Sequence, residues 1–441
     1  MRPIALLLLA SSIAGAQVRP PSAQRPPGPE VRTPREPGSE LTVTLLTMGV
    51  GEEVWEEFGH NALWFHLDRP PSSGGPVDVV YNWGIFDSSQ PYFIPHFLQG
   101  RMLYSMGGYP LDQTLIEYRE RDREVWAQEL DLTNAQKLAL RDFVIWNSQP
   151  ENRMYRYDYY RDNCSTRVRD ALDRVLGGII RATFSPRKTS YTYRSETLRL
   201  TQRQPLLASG IDVGLGRPAD HELTAYEEMF LPMRLRDYVR ELRVSDGNGG
   251  TRPLVKSERK LLPTLSHPEA SAPPHWMPVF ATLGILLGIL FAVIGWQAAR
   301  GSAGARYAAA TLFTLWAFGA GILGLILTLL WAVTDHTFAH RNENILLFNP
   351  LWLVLAVAAP MTAVKGRLSR TTRWLSSCLA ALALLALLMH LAGVWPQSNG
   401  EMIAFALPPI IALAWAVHRG TARPRHAEAA DVSSSMGHSR R

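Results

Sequence analysis

The residue best suited to act as a nucleophile is Cys164, which lies in a polar stretch at 157–167. Asp162 or Asn163 is a candidate N-cap for a helix that begins there. Cys164 would then occupy the first helical turn, where the helix dipole and free N–H groups favour a thiolate and can stabilise an oxyanion. The alternative is a small cysteine buried in the core. The other cysteine, Cys378, lies in an apolar segment. A chain with only two cysteines cannot form a disulfide framework.

A cysteine nucleophile needs a base within hydrogen-bond reach, and histidine is the usual one. His60 precedes Cys164 and opens a segment of alternating polarity. His66 shares its face by the period of two, as a second polar partner or as an ordinary strand residue. Asn82 or Asp87, in the polar and aromatic turn at 81–87, is a candidate group to orient His60. The alternative for that turn is a tight connection around a packed tryptophan.

A second polar cluster lies between two apolar segments, at 334–350. This loop can bind a metal, a lipid headgroup or a substrate terminus, or it can simply cap helices. Its donor set has low specificity for a metal, and we expect neither a metal nor a cofactor. The candidate residues in it are Asp335, His336, His340, Asn342 and Asn344.

The elements that must position these residues are predicted from short apolar runs and caps. Strands are expected at 41–46, 60–67, 77–83 and 101–106. Helices are expected at 132–146, with Thr133 as N-cap, and from 162 to 176. Strands and helices mix without a βαβ period, so the unit at 41–270 is predicted to be an α+β domain.

Five apolar spans follow that domain and predict an all-α bundle of five transmembrane helices. They lie at 276–299, 308–333, 346–364, 374–395 and 402–418. The first and third connecting loops carry six Lys and Arg residues, whereas the second and fourth carry only Arg341. By the positive-inside rule the first and third loops are cytoplasmic, so the α+β domain lies on the opposite side of the membrane.

The ends of the chain agree with an exported domain. A basic start, a short apolar run and a small-x-small site predict a signal peptide at 1–16, with cleavage after Ala16. Residues 17–40 are rich in Pro and Arg and are predicted to be a disordered linker. The basic tail at 419–441 is expected to be cytoplasmic. The net charge of +6 lies largely in the loops and tail, so it does not indicate nucleic-acid binding.

Four motifs together resemble a known family. They read Gly-His-Asn-Ala-Leu at 59–63, Tyr-Asn-Trp-Gly-Ile-Phe-Asp at 81–87, Asn-Arg-Met-Tyr-Arg-Tyr-Asp at 152–158 and Asp-Asn-Cys-Ser-Thr-Arg at 162–167. In combination they are similar to the Lnb N-terminal periplasmic domain family over about 41–260. The loop at 335–350 is similar to the membrane part of these proteins, so the resemblance extends nearly to the end of the chain.

The resemblance implies a lipoprotein N-acyltransferase of a cysteine–histidine type. It also implies a permuted papain-like fold, similar to NlpC-type peptidases and lecithin:retinol acyltransferases, in which His precedes Cys as His60 precedes Cys164. The implied partners are a phospholipid acyl donor, a diacylglyceryl lipoprotein acceptor and the membrane. The implied location is the bacterial inner membrane, with a multi-pass anchor and a periplasmic catalytic domain. The alternatives are an NlpC-type cell-wall peptidase or amidase and a non-catalytic membrane-anchored binding protein.

Overall fold

The computed structural model describes residues 36–68, 77–365, 369–394 and 396–419. The predicted signal peptide, most of the predicted linker and nearly all of the basic tail therefore lie outside the described residues. The strands are β1 (Leu41–Met48), β2 (His60–Leu67), β3 (Asp78–Ile85), β4 (Leu103–Pro110), β5 (Val125–Leu130), β6 (Met154–Arg156), β7 (Lys188–Thr192), β8 (Glu222–Thr224), β9 (Arg243–Ser245), β10 (Thr251–Pro253) and β11 (Val255–Leu262).

The helices of the N-terminal half are α1 (Phe93–Gln99), α2 (Leu111–Glu120), α3 (Asn134–Ser148), α4 (Cys164–Val175), α5 (Ile179–Phe184), α6 (Tyr193–Thr201), α7 (Pro205–Gly214), α8 (Ala225–Glu228) and α9 (Pro232–Glu241). Those of the C-terminal half are α10 (Met277–Ala299), α11 (Ala303–Val333), α12 (Leu351–Lys365), α13 (Arg370–Leu391) and α14 (Gly400–Arg419). Short 3-10 turns occupy Arg217–Asp220, Thr337–Ala339 and Glu343–Leu346.

Within the described residues, seven strands form one antiparallel sheet in the order β11-β5-β1-β2-β3-β4-β6. Successive side chains of the central strand β1 point to opposite faces. Val43 and Leu45 pack into the core that α3 and α4 cover, whereas Leu46 and Met48 pack on the side of α2. The sheet is therefore covered on both faces, and the predicted α+β class of the N-terminal half is confirmed.

The local predictions agree with this sheet. Thr133 caps α3 through a capping box with Gln136, in which each side chain accepts a hydrogen bond from the other's backbone N–H. The strand expected at 101–106 begins two residues later, at Leu103. Gly100 ends α1 in a left-handed conformation, and residues 101 and 102 then connect this turn to the strand.

Four described helices in the C-terminal half are long and apolar enough to cross a bilayer, namely α10, α11, α13 and α14. The span predicted at 346–364 differs, because its helix α12 has 15 residues and starts only after Pro350. Fifteen residues extend about 22 Å, which is short of a hydrocarbon core of about 30 Å. Helix α10 lies close against α14, because a side chain at Gly284 or Gly288 would collide with the α14 backbone. The helical C-terminal region is confirmed with four candidate spans, and a fifth crossing stays a prediction.

Candidate functional site

The helix α4 places Cys164 at its first position, beside the end of the sheet. Asn163 is the N-cap, and its Oδ1 accepts hydrogen bonds from the backbone N–H groups of Ser165 and Thr166, both at 2.9 Å. Its Nδ2 donates to two backbone carbonyls, at 2.9 and 3.0 Å. Asn163 therefore positions the thiol by capping the helix, and both the oxygen and the nitrogen of its carboxamide make two hydrogen bonds.

A buried hydrogen bond ties the cysteine helix to the strand that begins with His60. Ser165 Oγ lies 2.8 Å from Asn61 Oδ1, and Asn61 Nδ2 donates to Thr47 Oγ1 at 2.9 Å. A hydrogen bond from the backbone N–H of Asn61 also lowers the pKa of the Cys164 thiol. The thiol thus lies near the start of β2, the strand that begins with His60.

Two glycines in left-handed conformations open the space for this approach. Gly59 has φ 75° and turns the chain into β2, and Gly84 has φ 92° and forms a bulge in β3. A Cβ at Gly84 would lie 3.5 Å from the Cβ of Cys164. Because L side chains adopt such φ values only with strain, a substitution at either position would move the strand ends that hold the site.

Asn82 selects which nitrogen of His60 can accept a proton. The register pairs Ala62 with Asn82, so His60 is its diagonal neighbour, and Nε2 of His60 lies 3.0 Å from Oδ1 of Asn82. Asn82 Nδ2 donates to the carbonyl of Val80 at 3.0 Å, which turns the amide oxygen toward the histidine. An oxygen can only accept, so Nε2 carries the proton and Nδ1 is the free base.

Burial keeps both members of the pair neutral at rest. It lowers the pKa of the His60 imidazole to about 4, against a smaller opposing effect of the bond to Asn82. It also raises the pKa of the Cys164 thiol, although backbone N–H groups around the sulfur partly offset this. The site therefore holds a thiol and an imidazole, not a preformed ion pair. His60 is suited to remove the thiol proton during attack, as a general base.

One positive charge acts on both Cys164 and His60, that of Arg123, which no motif predicted and which is paired with the buried Glu56 at 3.4 Å. Arg123 is buried, its Nε donates to the carbonyl of Gly49 at 3.0 Å, and its guanidinium lies 4.8 Å from the centre of the Tyr118 ring. Its Nη2 has no hydrogen-bond partner in the described part of the chain. The Arg123 charge lowers the pKa of both Cys164 and His60, so it favours a thiolate and a neutral base.

Two tyrosines, the buried Tyr155 and the partly buried Tyr157, interact electrostatically with the thiol. Burial raises the pKa of Tyr155 and Tyr157 well above the usual range, and their proximity to Cys164 adds to the effect. Both belong to the motif at 152–158. That motif was a signal for the site, although no role was assigned to these two residues from the sequence.

His66 and Asp87 lie elsewhere. His66 shares the strand face of His60, but six residues at about 3.3 Å each separate them by about 20 Å. Its Nδ1 lies 2.8 Å from Asp78, in a separate hollow of ≈ 410 Å³. Asp87 is exposed and accepts hydrogen bonds from Ser89 in a turn of its own. Of the candidate partners of His60, the structure brings only Asn82 to its ring, because β3 ends at Ile85.

The polar loop after α11 braces the segment that leads into Cys164. Asp335 accepts hydrogen bonds from Arg101 and Arg156 at 2.8 and 2.9 Å, and these two bonds lower its pKa. The ring of His336 stacks on Tyr159, with centroids 6.2 Å apart. Phe338 packs edge-on against Tyr160 at 4.5 Å.

The rest of the loop is held by backbone carbonyls. His340 Nε2 lies 3.0 Å from the carbonyl of Thr334. Asn342 and Asn344 are buried and donate to the carbonyl of Val213 at 2.8 and 3.1 Å. These bonds occupy the side chains that the sequence offered as metal or substrate contacts. Among the described residues, no group of three or more His, Cys, Asp or Glu side chains is placed to hold a metal ion.

Two family models match the chain. The Lnb N-terminal periplasmic domain matches residues 33–200, and the Lnb transmembrane domain matches residues 272–417. The first match contains His60, Asn82 and Cys164, and the second contains the polar loop at 334–350. Together they cover more than two thirds of the chain. No curated protein and no solved structure shows significant similarity to it.

Proposed function

This chain belongs to the Lnb family of membrane proteins with a periplasmic domain, and we propose that it is a membrane-anchored thiol acyltransferase. It moves an acyl chain from a phospholipid, through a thioester on Cys164, to the free α-amine of a diacylglyceryl-cysteine lipoprotein. The observation that carries the proposal is the contact between His60 and Asn82 beside a cysteine at a helix N-terminus. It supplies a nucleophile, a base and a group that orients the base, in the His-before-Cys order of permuted papain-like enzymes.

In the first step, the sulfur of Cys164 attacks the carbonyl carbon of a phospholipid ester. The thiol proton moves to Nδ1 of His60, and the imidazolium that forms is held by Asn82. The backbone N–H groups of Cys164 and Asn61 face the sulfur and are suited to stabilise the oxyanion. Collapse of this intermediate breaks the ester C–O bond. His60 returns the proton to the departing alcohol oxygen, which leaves a lysophospholipid and the acyl-thioester.

In the second step, the neutral α-amine of the acceptor attacks the thioester carbonyl. His60 takes the proton that the amine loses and returns it to the departing sulfur. An amide forms, the C–S bond breaks and the free thiol is regenerated. A thiol suits this sequence, because a thioester is readily attacked by an amine.

The membrane part keeps the thiol close to both substrates. Four apolar helices anchor the domain, and we propose that α12 with its preceding turns forms a fifth crossing. The basic residues of the first and third loops then place the catalytic domain on the periplasmic side of a bacterial inner membrane. Both the acyl donor and the lipidated acceptor reside at that surface.

The proposal is tested by reconstituting the full chain in phospholipid vesicles with a diacylglyceryl-cysteine peptide that has a free amine. Mass spectrometry should detect the N-acylated peptide and an equal amount of lysophospholipid. Cys164→Ala should abolish both products, and Asp87→Ala, at the exposed end of the same motif, should leave them unchanged. Release of free fatty acid alone, or cleavage of a cell-wall peptide, would instead identify a hydrolase. N-acylation by Cys164→Ala would refute the thiol mechanism.

A further inference from the structure

The short helix α1 presents apolar side chains to its surroundings with no described protein cover. None of its residues is buried. Tyr92, Ile94, Phe97 and Leu98 are 75%, 68%, 50% and 61% exposed. Four large apolar side chains on one short element form a patch that a water-facing surface would not favour.

Helix α1 lies against the loop that follows α11, close to the membrane part of the chain. Its last turn is docked on the loop that follows α11, because the N–H of Asp335 donates to the carbonyl of Gln99 at 2.8 Å. The ring of His336 lies 3.1 Å from the carbonyl of Phe97. Helix α11 ends at Val333, which is 62% exposed. The apolar patch of α1 therefore lies beside the end of a helix that is long and apolar enough to span a membrane.

Aromatic rings connect this patch to the thiol. Phe97 stacks on Phe93 with centroids 6.5 Å apart, and Phe93 stacks on Phe86 at 6.2 Å. Phe86 lies 5.6 Å from Tyr104, which stacks on Tyr157 at 4.1 Å. Tyr157 is partly buried, and its interaction with Cys164 adds to the rise in its pKa that burial causes. Phe86 itself is 41% exposed, so the row of rings is open to an apolar ligand along part of its length.

We propose that α1 is an interfacial helix that inserts into the lipid leaflet on the side of the N-terminal domain, and that the aromatic row from Phe97 to Tyr157 guides a lipid acyl chain to Cys164. Such helices lie in the membrane plane with their apolar face at the acyl boundary. Here α1 is held at that depth by the loop that follows α11. The guidance of an acyl chain rests on the proposed lipid substrate, whereas the insertion of α1 does not.

Insertion is tested by spin-label accessibility on the full chain in vesicles of phosphatidylethanolamine and phosphatidylglycerol. The label is placed by Ile94→Cys, with Cys164 and Cys378 replaced by serine. The matched control is Tyr109→Cys, because Tyr109 is also exposed but lies about 20 Å along β4 from the end next to the loop. The label at 94 should be more accessible to oxygen than to a water-soluble nickel chelate, and the label at 109 should show the reverse. Equal, water-dominated accessibility at both sites would overturn insertion, and exclusion of both agents at 94 would identify a protein partner instead.

Guidance is tested with two thiol reagents that react with Cys164 without any acyl transfer. One is small and water-soluble, and the other carries a long alkyl chain and partitions into the vesicle. Replacing both Ile94 and Leu98 with Asp should lower labelling by the long-chain reagent about tenfold and leave labelling by the small reagent unchanged. Tyr109→Asp should change neither. Equal loss with both reagents would refute the route, whatever the outcome of the acyl-transfer assay.

Discussion

Removal of the Asn82 carboxamide tests how His60 is made a base. In Asn82→Ala, Nε2 of His60 loses its acceptor at 3.0 Å, so the proton is no longer held on that nitrogen. The bond to Asn82 also raises the pKa of His60. The variant should therefore hold a weaker base with a less defined orientation.

The size of the effect follows from how the bond changes during the reaction. Between neutral groups such a bond contributes about 0.5–1.5 kcal/mol net. When His60 takes the thiol proton the bond becomes charge-assisted and about twice as strong. The additional stabilisation of the transition state is then about 1 kcal/mol, which corresponds to a rate loss of about fivefold. This is far smaller than the loss expected when the nucleophile is removed.

The assay is the single-turnover rate of acyl-thioester formation by the full chain in phospholipid vesicles. Asp87→Ala is the matched control, because Asp87 ends the same motif but its side chain accepts hydrogen bonds from Ser89 in a separate turn. Asn82→Asp retains an acceptor oxygen, so it should recover most of the rate and raise the pKa of His60. An unchanged rate in Asn82→Ala, or an equal loss in Asp87→Ala, would refute the orienting role.

Three further predictions concern the resting state and its bracing. Because burial raises the pKa of Cys164, its alkylation by iodoacetamide should keep accelerating from neutral pH through 9.0, the ordinary thiol value; a plateau on the acid side of neutrality would indicate a preformed ion pair. Because the pKa of His60 is about 4 in the folded chain against an ordinary 6.5, the unfolded state binds the extra proton, so this histidine makes folding less favourable as the pH falls from 6.5 towards 4, by about 3 kcal/mol in all. The free energy of unfolding, measured in detergent at a series of pH values, should fall less over that interval for His60→Gln than for the unmodified chain. Equal losses in the two proteins would contradict the shift in the pKa of His60. Asp335→Asn weakens the contacts to Arg101 and Arg156, so hydrogen exchange in 156–163 should accelerate and thioester formation should slow; unchanged exchange would show that the loop does not brace the site.

The elements that hold the site could be predicted because their signals are local. Alternation gave the bounds of β2 directly, and the Thr133 capping box and the Asn163 cap marked where α3 and α4 begin. These features depend on side chains within a few residues of one another. The same local reasoning placed the start of β4 two residues too early. The chain leaves α1 through the left-handed Gly100, and residues 101 and 102 connect that turn to the strand.

Contacts between residues far apart in the sequence could not be predicted from such local signals. Asn82 and Asp87 were equal candidates in the sequence, and only the register of β2 with β3 and the bulge at Gly84 decide between them. Arg123, two residues before β5, lowers the pKa of both Cys164 and His60 by its charge, and no motif surrounds it.

The polar loop was recognised by its composition, but its role was not. Which backbone carbonyls and which arginines its side chains contact depends on how the N-terminal domain packs against the loop after α11. Asp335, for example, accepts hydrogen bonds from Arg101, which lies between α1 and β4, and from Arg156 of β6. No spacing within 334–350 encodes those partners.

The most direct test of a Cys164 acyl carrier is the intact mass of the full chain after incubation with phospholipid vesicles. We expect a mass gain of one acyl chain that neutral hydroxylamine removes and that Cys164→Ala lacks. An unmodified protein, under conditions in which a small reagent labels Cys164, would contradict it. So would an adduct that persists in Cys164→Ala.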